Sequence, residues 1–190
     1  FVSKLGTESI AGVGITNLIM NIYMSFFFAI GVGTTALVSR HLGAEENDNA
    51  SESAQQAFLL SIILGLTAGI INLAFYKQIL MLLGLDASLL SAASPYFLAV
   101  AGPSVFLSIS IMLSSSLRGA KDTKSTMKIA IVSNLVNIIL DPILIFGIFN
   151  IPGMGIMGAG IATSFSRMTA VILLMRKTSS ANGKIRINYR

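Results

Sequence analysis

Five long apolar stretches constrain this chain more than any other feature. They run about Ile15 to Val38, Ala57 to Phe75, Tyr96 to Leu117, Ile129 to Phe149 and Ala159 to Met175. A membrane-crossing helix needs about 20 mostly apolar residues, because each residue advances the chain only about 1.5 Å. None of the five alternates in the way a barrel strand must. The expected fold class is therefore all-α: a polytopic membrane helix bundle with five transmembrane helices. The charge content agrees. Only 11% of the residues are charged and 54% are hydrophobic, whereas soluble domains carry about 25% charged residues.

The gaps between the stretches carry their own signals. Residues Arg40 to Ser53 are acidic and amide-rich, and Arg118 to Lys128 are basic. Lys77 to Pro95 contains an amphipathic piece, Ile79 to Leu90, interrupted by Gly84 and Asp86. It is too short to span and is expected to lie in the interface. Asn150 to Gly158 holds Pro152, Gly153, Gly155 and Gly158 and reads as a tight turn. Gly183 to Arg190 reads as a basic tail leading onward. The chain opens at Phe1 with neither an initiator Met nor a basic n-region. That start reads as a fragment of a longer protein and not as a cleaved signal peptide.

Lysine and arginine set the expected orientation. One side of the membrane collects ten: Arg40, Arg118, Lys121, Lys124, Lys128, Arg176, Lys177, Lys184, Arg186 and Arg190. The other collects two, Lys4 and Lys77. The first side is read as cytoplasmic, which puts the C-terminal end inside and the localisation in the cell (inner) membrane. The formal charge of +5 then faces anionic headgroups, and no nucleic-acid partner is expected. The lipid bilayer is the first partner. The chain has no cysteine and one histidine, His41, so disulfides, thiolate metal sites and a histidine zinc site are excluded.

Asp141 is the only acidic residue inside an apolar stretch. An ionised carboxylate at that depth costs roughly 2.5–3.5 kcal/mol on insertion scales, so it must face a partner, a wet cavity or an ion path. Asn137 stands one turn earlier on the same helix face, and Pro142 follows at once. An amide oxygen beside a carboxylate offers hard oxygen ligands for sodium, and the same carboxylate can carry a proton. Pro142 removes a backbone donor and crowds the carbonyl of Ile138. Carbonyls freed there can ligate an ion or let the helix bend. The structural alternative is that Asp141 bonds to Asn134, Asn137 or Thr163 as interhelical glue.

Further polar residues lie inside the spans. Arg167 is the only basic one, one turn after Thr163. It can pair with Asp141, snorkel, or meet another part of the protein. Asn17 and Asn21 can line a cavity or bind helices together, and Asn72 has the same two readings. Gly65-x-x-x-Gly69 and Gly31 with Gly33 point to close helix packing. Pro103 is expected to kink its span. Met20, Met24 and Met112 can form a soft pocket or ordinary core. Gly153-x-Gly155-x-x-Gly158 has dinucleotide-fingerprint spacing but follows a membrane helix and not a strand, so that reading fails. No Walker pattern, acid–base pair or nucleophile–base set is present. The chain is not expected to be an enzyme, and any transport must draw on an ion gradient or exchange.

Four segments in register resemble the multidrug and toxic compound extrusion (MATE) family. Ser39-Arg40-His41-Leu42-Gly43-Ala44 is similar to its loop after the second helix. Leu117-Arg118-Gly119-Ala120-Lys121-Asp122-Thr123-Lys124 is similar to the loop between helices four and five. Asn134 through Pro142 is similar to the fifth helix, and Gly155 through Thr163 to the start of the sixth. The resemblance covers essentially the whole chain. It implies that residues 1–190 are part of the N-terminal lobe, helices two to six, of a twelve-helix two-lobe transporter. The missing first helix and second lobe would then be partners within the same protein.

The resemblance also implies a site and a cycle. The coupling cation would sit at Asn137, Asp141 and Thr163, with the carbonyl of Ala159 as a fourth ligand. Arg167, Asn17, Asn21 and Pro142 are candidates for cavity or coupling roles. Depth is consistent: Asp141 precedes Phe149 by eight residues, about 12 Å, and Thr163 follows Gly158 by five, about 7 Å. The implied function is sodium- or proton-antiport export of bulky organic cations or drugs. No cofactor is implied beyond a sodium ion. Two rivals remain. One is a lipid-linked sugar flippase of the same broader superfamily. The other is a non-transporting membrane assembly protein with Asp141–Arg167 as a structural pair, which a function-preserving double charge swap would support.

Overall fold

Apolar runs this long can satisfy their backbone in lipid only as helices. The computed structural model describes residues 7–147, 152–180 and 185–189. Among these lie six helices: α1 (Thr7–Gly43), α2 (Asn47–Leu82), α3 (Ala87–Ala101), α4 (Ser104–Gly119), α5 (Thr123–Phe146) and α6 (Gly155–Thr178). They make five segments long and apolar enough to cross a membrane, with α3 and α4 together forming the third. Most helix ends outrun the apolar stretches, whereas α5 closes at Phe146, before the expected Phe149.

Three local features depart from expectation. The piece Ile79 to Leu90 is no separate interfacial helix. Its first part finishes α2 and its last part begins α3, joined by a turn at Gly84 with φ +88°. The bend falls earlier, at Phe75 (φ −118°, ψ 20°). The third span does not merely kink at Pro103 but breaks at Gly102–Pro103. The Gly-rich run Gly155 to Gly158 is the first turn of α6 and not part of the preceding turn.

Contacts divide the chain into two units. One contains the described residues up to Tyr23, with Leu66–Ser104 and Asn134–Ser166. Its polar centre is Asn72, fully buried. The Asn72 Nδ2 donates to the carbonyl of Ala101 at 2.9 Å and to Ser104 Oγ at 3.3 Å, and its Oδ1 accepts from the Tyr23 hydroxyl at 2.8 Å. The first of these, with a bond from the Ser104 hydroxyl, occupies the Ala101 carbonyl at the Gly102–Pro103 break. Asn72→Leu removes the amide donor, leaving the Ala101 carbonyl to the Ser104 hydroxyl, and takes away the acceptor that Asn72 gives the Tyr23 hydroxyl. Each such hydrogen bond is worth about 0.5–1.5 kcal/mol net. The expected result is a lower thermal midpoint in detergent for Asn72→Leu, and a smaller drop, about 0.6 kcal/mol, for Tyr23→Phe. Equal midpoints for wild type and Asn72→Leu would contradict this role.

The other unit contains Met24–Gly65, Val105–Ser133 and the described residues from Arg167 onward. Val38, Leu113, Leu117, Leu174, Ile185 and Ile187 form its core. Here α1 packs closely on α4. Thr35 Oγ1 donates to the Ser115 carbonyl at 3.0 Å, and a Cβ on Gly119 would lie 2.9 Å from the Thr35 carbonyl. Gly31 serves the same approach, whereas Gly33 faces open space. Gly65 meets the backbone of Val105.

Of the expected basic tail, residues 185–189 are anchored instead, while Gly183, Lys184 and Arg190 lie outside the described residues. Ile185 and Ile187 are buried while Arg186 and Asn188 are exposed, the alternation of an extended segment. The N–H of Ile187 donates to the Thr178 carbonyl at 3.0 Å, and that of Arg186 to Ser51 Oγ at 3.1 Å. Tyr189 packs edge-on against Phe58 with ring centroids 4.9 Å apart, its hydroxyl against that of Thr178.

Candidate functional site

Asn134, Asn137 and Asp141 stand three and four residues apart on α5. At about 100° per residue they share one narrow sector of the helix. Asn134 is exposed, and Asn137 and Asp141 are half-buried. Asn137 Nδ2 donates to Asp141 Oδ1 at 3.4 Å, a long bond. A carboxylate has about four lone-pair sites. Among the described residues Asn137 is the side chain that reaches it, and it uses one of those sites. The helix runs unbroken through Pro142. The proline has no N–H to give Ile138, which leaves that carbonyl without its helical donor on the turn carrying Asn137.

On α6 the Thr163 hydroxyl donates to the carbonyl of Ala159 at 3.0 Å. That hydroxyl keeps two lone pairs and can still coordinate a cation. The Ala159 carbonyl is already engaged, so as a ligand it would have to give up the Thr163 bond. Among the described residues no hydrogen bond joins the Asn137–Asp141 pair to the Thr163–Ala159 pair.

Glycines decide how near the two helices come. The Met154 N–H donates to the Leu144 carbonyl at 2.8 Å. The Cα of Gly158 lies directly against the backbone of Leu144, where any side chain would collide. Leu144 follows Asp141 by about one turn, and Ala159 directly follows Gly158. The close crossing thus falls next to both pairs. Gly160, about 200° further round α6, faces α3: a Cβ there would lie 2.7 Å from the Cβ of Ala99. Ser164 Oγ donates to the Ala99 carbonyl at 2.5 Å. Turn chemistry alone does not account for this glycine run, because its members also pack α6 against its neighbours. The spacing of Gly155, Gly158 and Gly160 ahead of Ala162 is the sequence signal for that packing.

The remaining candidates are dispersed. Asn17 and Asn21 are exposed, on the side of α1 away from buried Thr16, Ile19 and Met20. Arg167 is half-buried in α6, one turn beyond Thr163, and belongs to the second unit. Met20 and Met112 are core residues. Among the described residues no group of three His, Cys, Asp or Glu could hold a metal. The donors at hand, Asn137 Oδ1, the Asp141 carboxylate and Thr163 Oγ1, are hard oxygens, which fit sodium or a proton and not a thiophilic metal.

The MatE family model matches residues 1–143, which include Asn137, Asp141 and Pro142. The chain belongs to the MATE family. The FAD transporter of Shewanella oneidensis is 31% identical over 173 residues, covering 91% of this chain and 38% of the relative. The probable multidrug resistance protein NorM of Thermotoga maritima is 28% identical over 174 residues, covering 92% and 38%. Among solved structures, the inward-facing conformation of a multidrug resistance MATE family transporter of the MOP superfamily matches with a TM-score of 0.91. It is 26% identical and covers 98% of this chain and 42% of that one. The chain thus spans about two fifths of the length of the relatives it matches. MATE proteins are membrane transporters and not enzymes.

Proposed function

We propose that residues 1–190 are helices two to six of the N-terminal lobe of an ion-coupled exporter of bulky organic cations. The observation that carries this is the Asn137–Asp141 pair: an intramembrane carboxylate that a single side-chain amide engages among the described residues, one residue before a helix proline, in a MATE chain. In this reading sodium or a proton arrives from outside and occupies Asp141, with Thr163 as a further ligand. Neutralising the charge changes the bend of α5 at Pro142 and reshapes the lobe's cavity. Substrate leaves before the inward state returns. The cycle works only if the two states bind the ion with different affinity. Asn17, Asn21 and Arg167 are assigned to the cavity and its charge balance, and the lysine-rich side to the cytoplasm.

The test uses inverted vesicles carrying the full-length parent, with sodium and proton gradients applied separately. Uptake of a fluorescent cationic dye that follows one gradient is the expected result and names the coupling ion. FAD is the second substrate arm, because one relative is an FAD transporter. Gradient-driven FAD uptake without dye uptake would replace the organic-cation assignment with a nucleotide one. Uptake of neither would sink the exporter reading.

A further inference from the structure

Lys121, Lys124 and Lys128 are all exposed at the beginning of α5. Lys121 sits in the preceding turn at φ +64°. Lys124 and Lys128 are one helical turn apart and share a sector with Met127 and Ile131. Those two side chains are 57% and 50% exposed. The start of α5 is therefore an apolar strip crowned by three ammonium groups.

Among the described residues no carboxylate pairs with Lys121, Lys124 or Lys128. The nearest in sequence, Asp122, is committed elsewhere. Its carboxylate accepts from the Ser125 N–H at 3.1 Å, from the Ser125 hydroxyl at 2.8 Å and from Lys177 Nζ at 3.1 Å. Burial pushes its carboxyl upward, but the bonds from Ser125 and Lys177 outweigh this and hold it below the usual carboxylate range. The lysine arrangement is unfavourable alone. Like charges one turn apart repel, and cations in a first turn oppose the helix dipole. Glu45 and Glu46 stand in the turn before α2 and Asp48 in its first turn, and none of them forms an ion pair with the three lysines.

We propose that this face of α5 docks an anionic phospholipid. The three ammonium groups hold the phosphate and a neighbouring anionic headgroup, and an acyl chain lies along Met127 and Ile131. Lysine suits such a ligand, because it binds phosphate as a point charge without fixed geometry and its methylene stem lies along apolar surface. Charge complementarity selects the occupant, since a neutral lipid would cover the strip and leave the lysines uncompensated. The proposal is independent of the transport reading.

The test is native mass spectrometry of the full-length protein in detergent, with phosphatidylglycerol and phosphatidylcholine of identical acyl chains as probes. Inorganic phosphate is a third arm, and a Lys124→Gln, Lys128→Gln double variant is compared with wild type. The wild type is expected to retain phosphatidylglycerol in preference to phosphatidylcholine. The double variant is expected to bind it about 25-fold more weakly, about fivefold per lysine, with its thermal midpoint in phosphatidylcholine unchanged or slightly raised, because the repulsion between the lysines is gone. Equal retention of the two lipids, or undiminished phosphatidylglycerol binding by the variant, would overturn the proposal. Competition by millimolar phosphate alone would overturn it in favour of a free-anion site. A lower midpoint of the variant in phosphatidylcholine would overturn it in favour of a protein segment on the lysines.

Discussion

Asp141→Asn in the full-length parent is expected to abolish gradient-driven dye export while leaving the protein folded and expressed. Asn has nearly the same shape and can still meet Asn137, so the bond between them survives in some form. Only the charge is lost. If the carboxylate is the ion site, its removal costs the cation at least a tenfold loss in affinity, about 1.4 kcal/mol. Coupling then collapses, because the two states no longer differ in ion binding. The measurement is initial dye uptake per transporter in inverted vesicles under the effective gradient. A fall of tenfold or more is expected, with an unchanged thermal midpoint. Uptake within twofold of wild type would make Asp141 a structural residue and bring the flippase and assembly readings forward.

The second large effect is expected from Gly158→Val. A Cβ there would collide with the Leu144 carbonyl group and crowd the N–H of Ile145, all of them backbone atoms. Backbone cannot rotate aside as a side chain can, so α5 and α6 must separate. Overpacking of this kind costs about 1–3 kcal/mol, and the valine should sit at the upper end because its branched carbons add to the crowding. The same separation displaces the helix segment bearing Asp141, so ion coupling should weaken together with stability. Gly33→Ala is the control. It lies in α1 with nothing within 4 Å of the added carbon, and it should stabilise by up to about 1 kcal/mol through helix propensity. Thermal unfolding of both variants in one detergent reads the contrast. Equal midpoints for Gly158→Val and wild type would mean that the crossing relaxes without cost.

Legibility in the sequence follows physical range. The spans are readable because lipid imposes one solution on any long apolar run. Asp141 is readable because a charge at depth is expensive wherever its neighbours lie. Its pairing with Asn137 is readable because both stand on one helix, one turn apart. The strap of buried Ile185 and Ile187 with half-buried Tyr189 is not, although its alternation is visible in Ile185-Arg186-Ile187-Asn188-Tyr189. Two lysines and three arginines between Arg176 and Arg190 mask that period, and the segment reads as a solvated tail.

By itself the sequence determined the class of solvent, the helical architecture and the one costly charge, since each rests on local composition and helix period. Tertiary structure alone decided which glycines are contact points and which face open space. Gly158 and Gly33 are indistinguishable as letters, and only the position of Leu144 separates them. It also decided that Asn72 holds the Gly102–Pro103 break closed, because its partners Tyr23 and Ala101 lie far away along the chain. Hydrogen bonds and close packing act over about 3–4 Å, and one chain alone does not declare which distant residues will come that near.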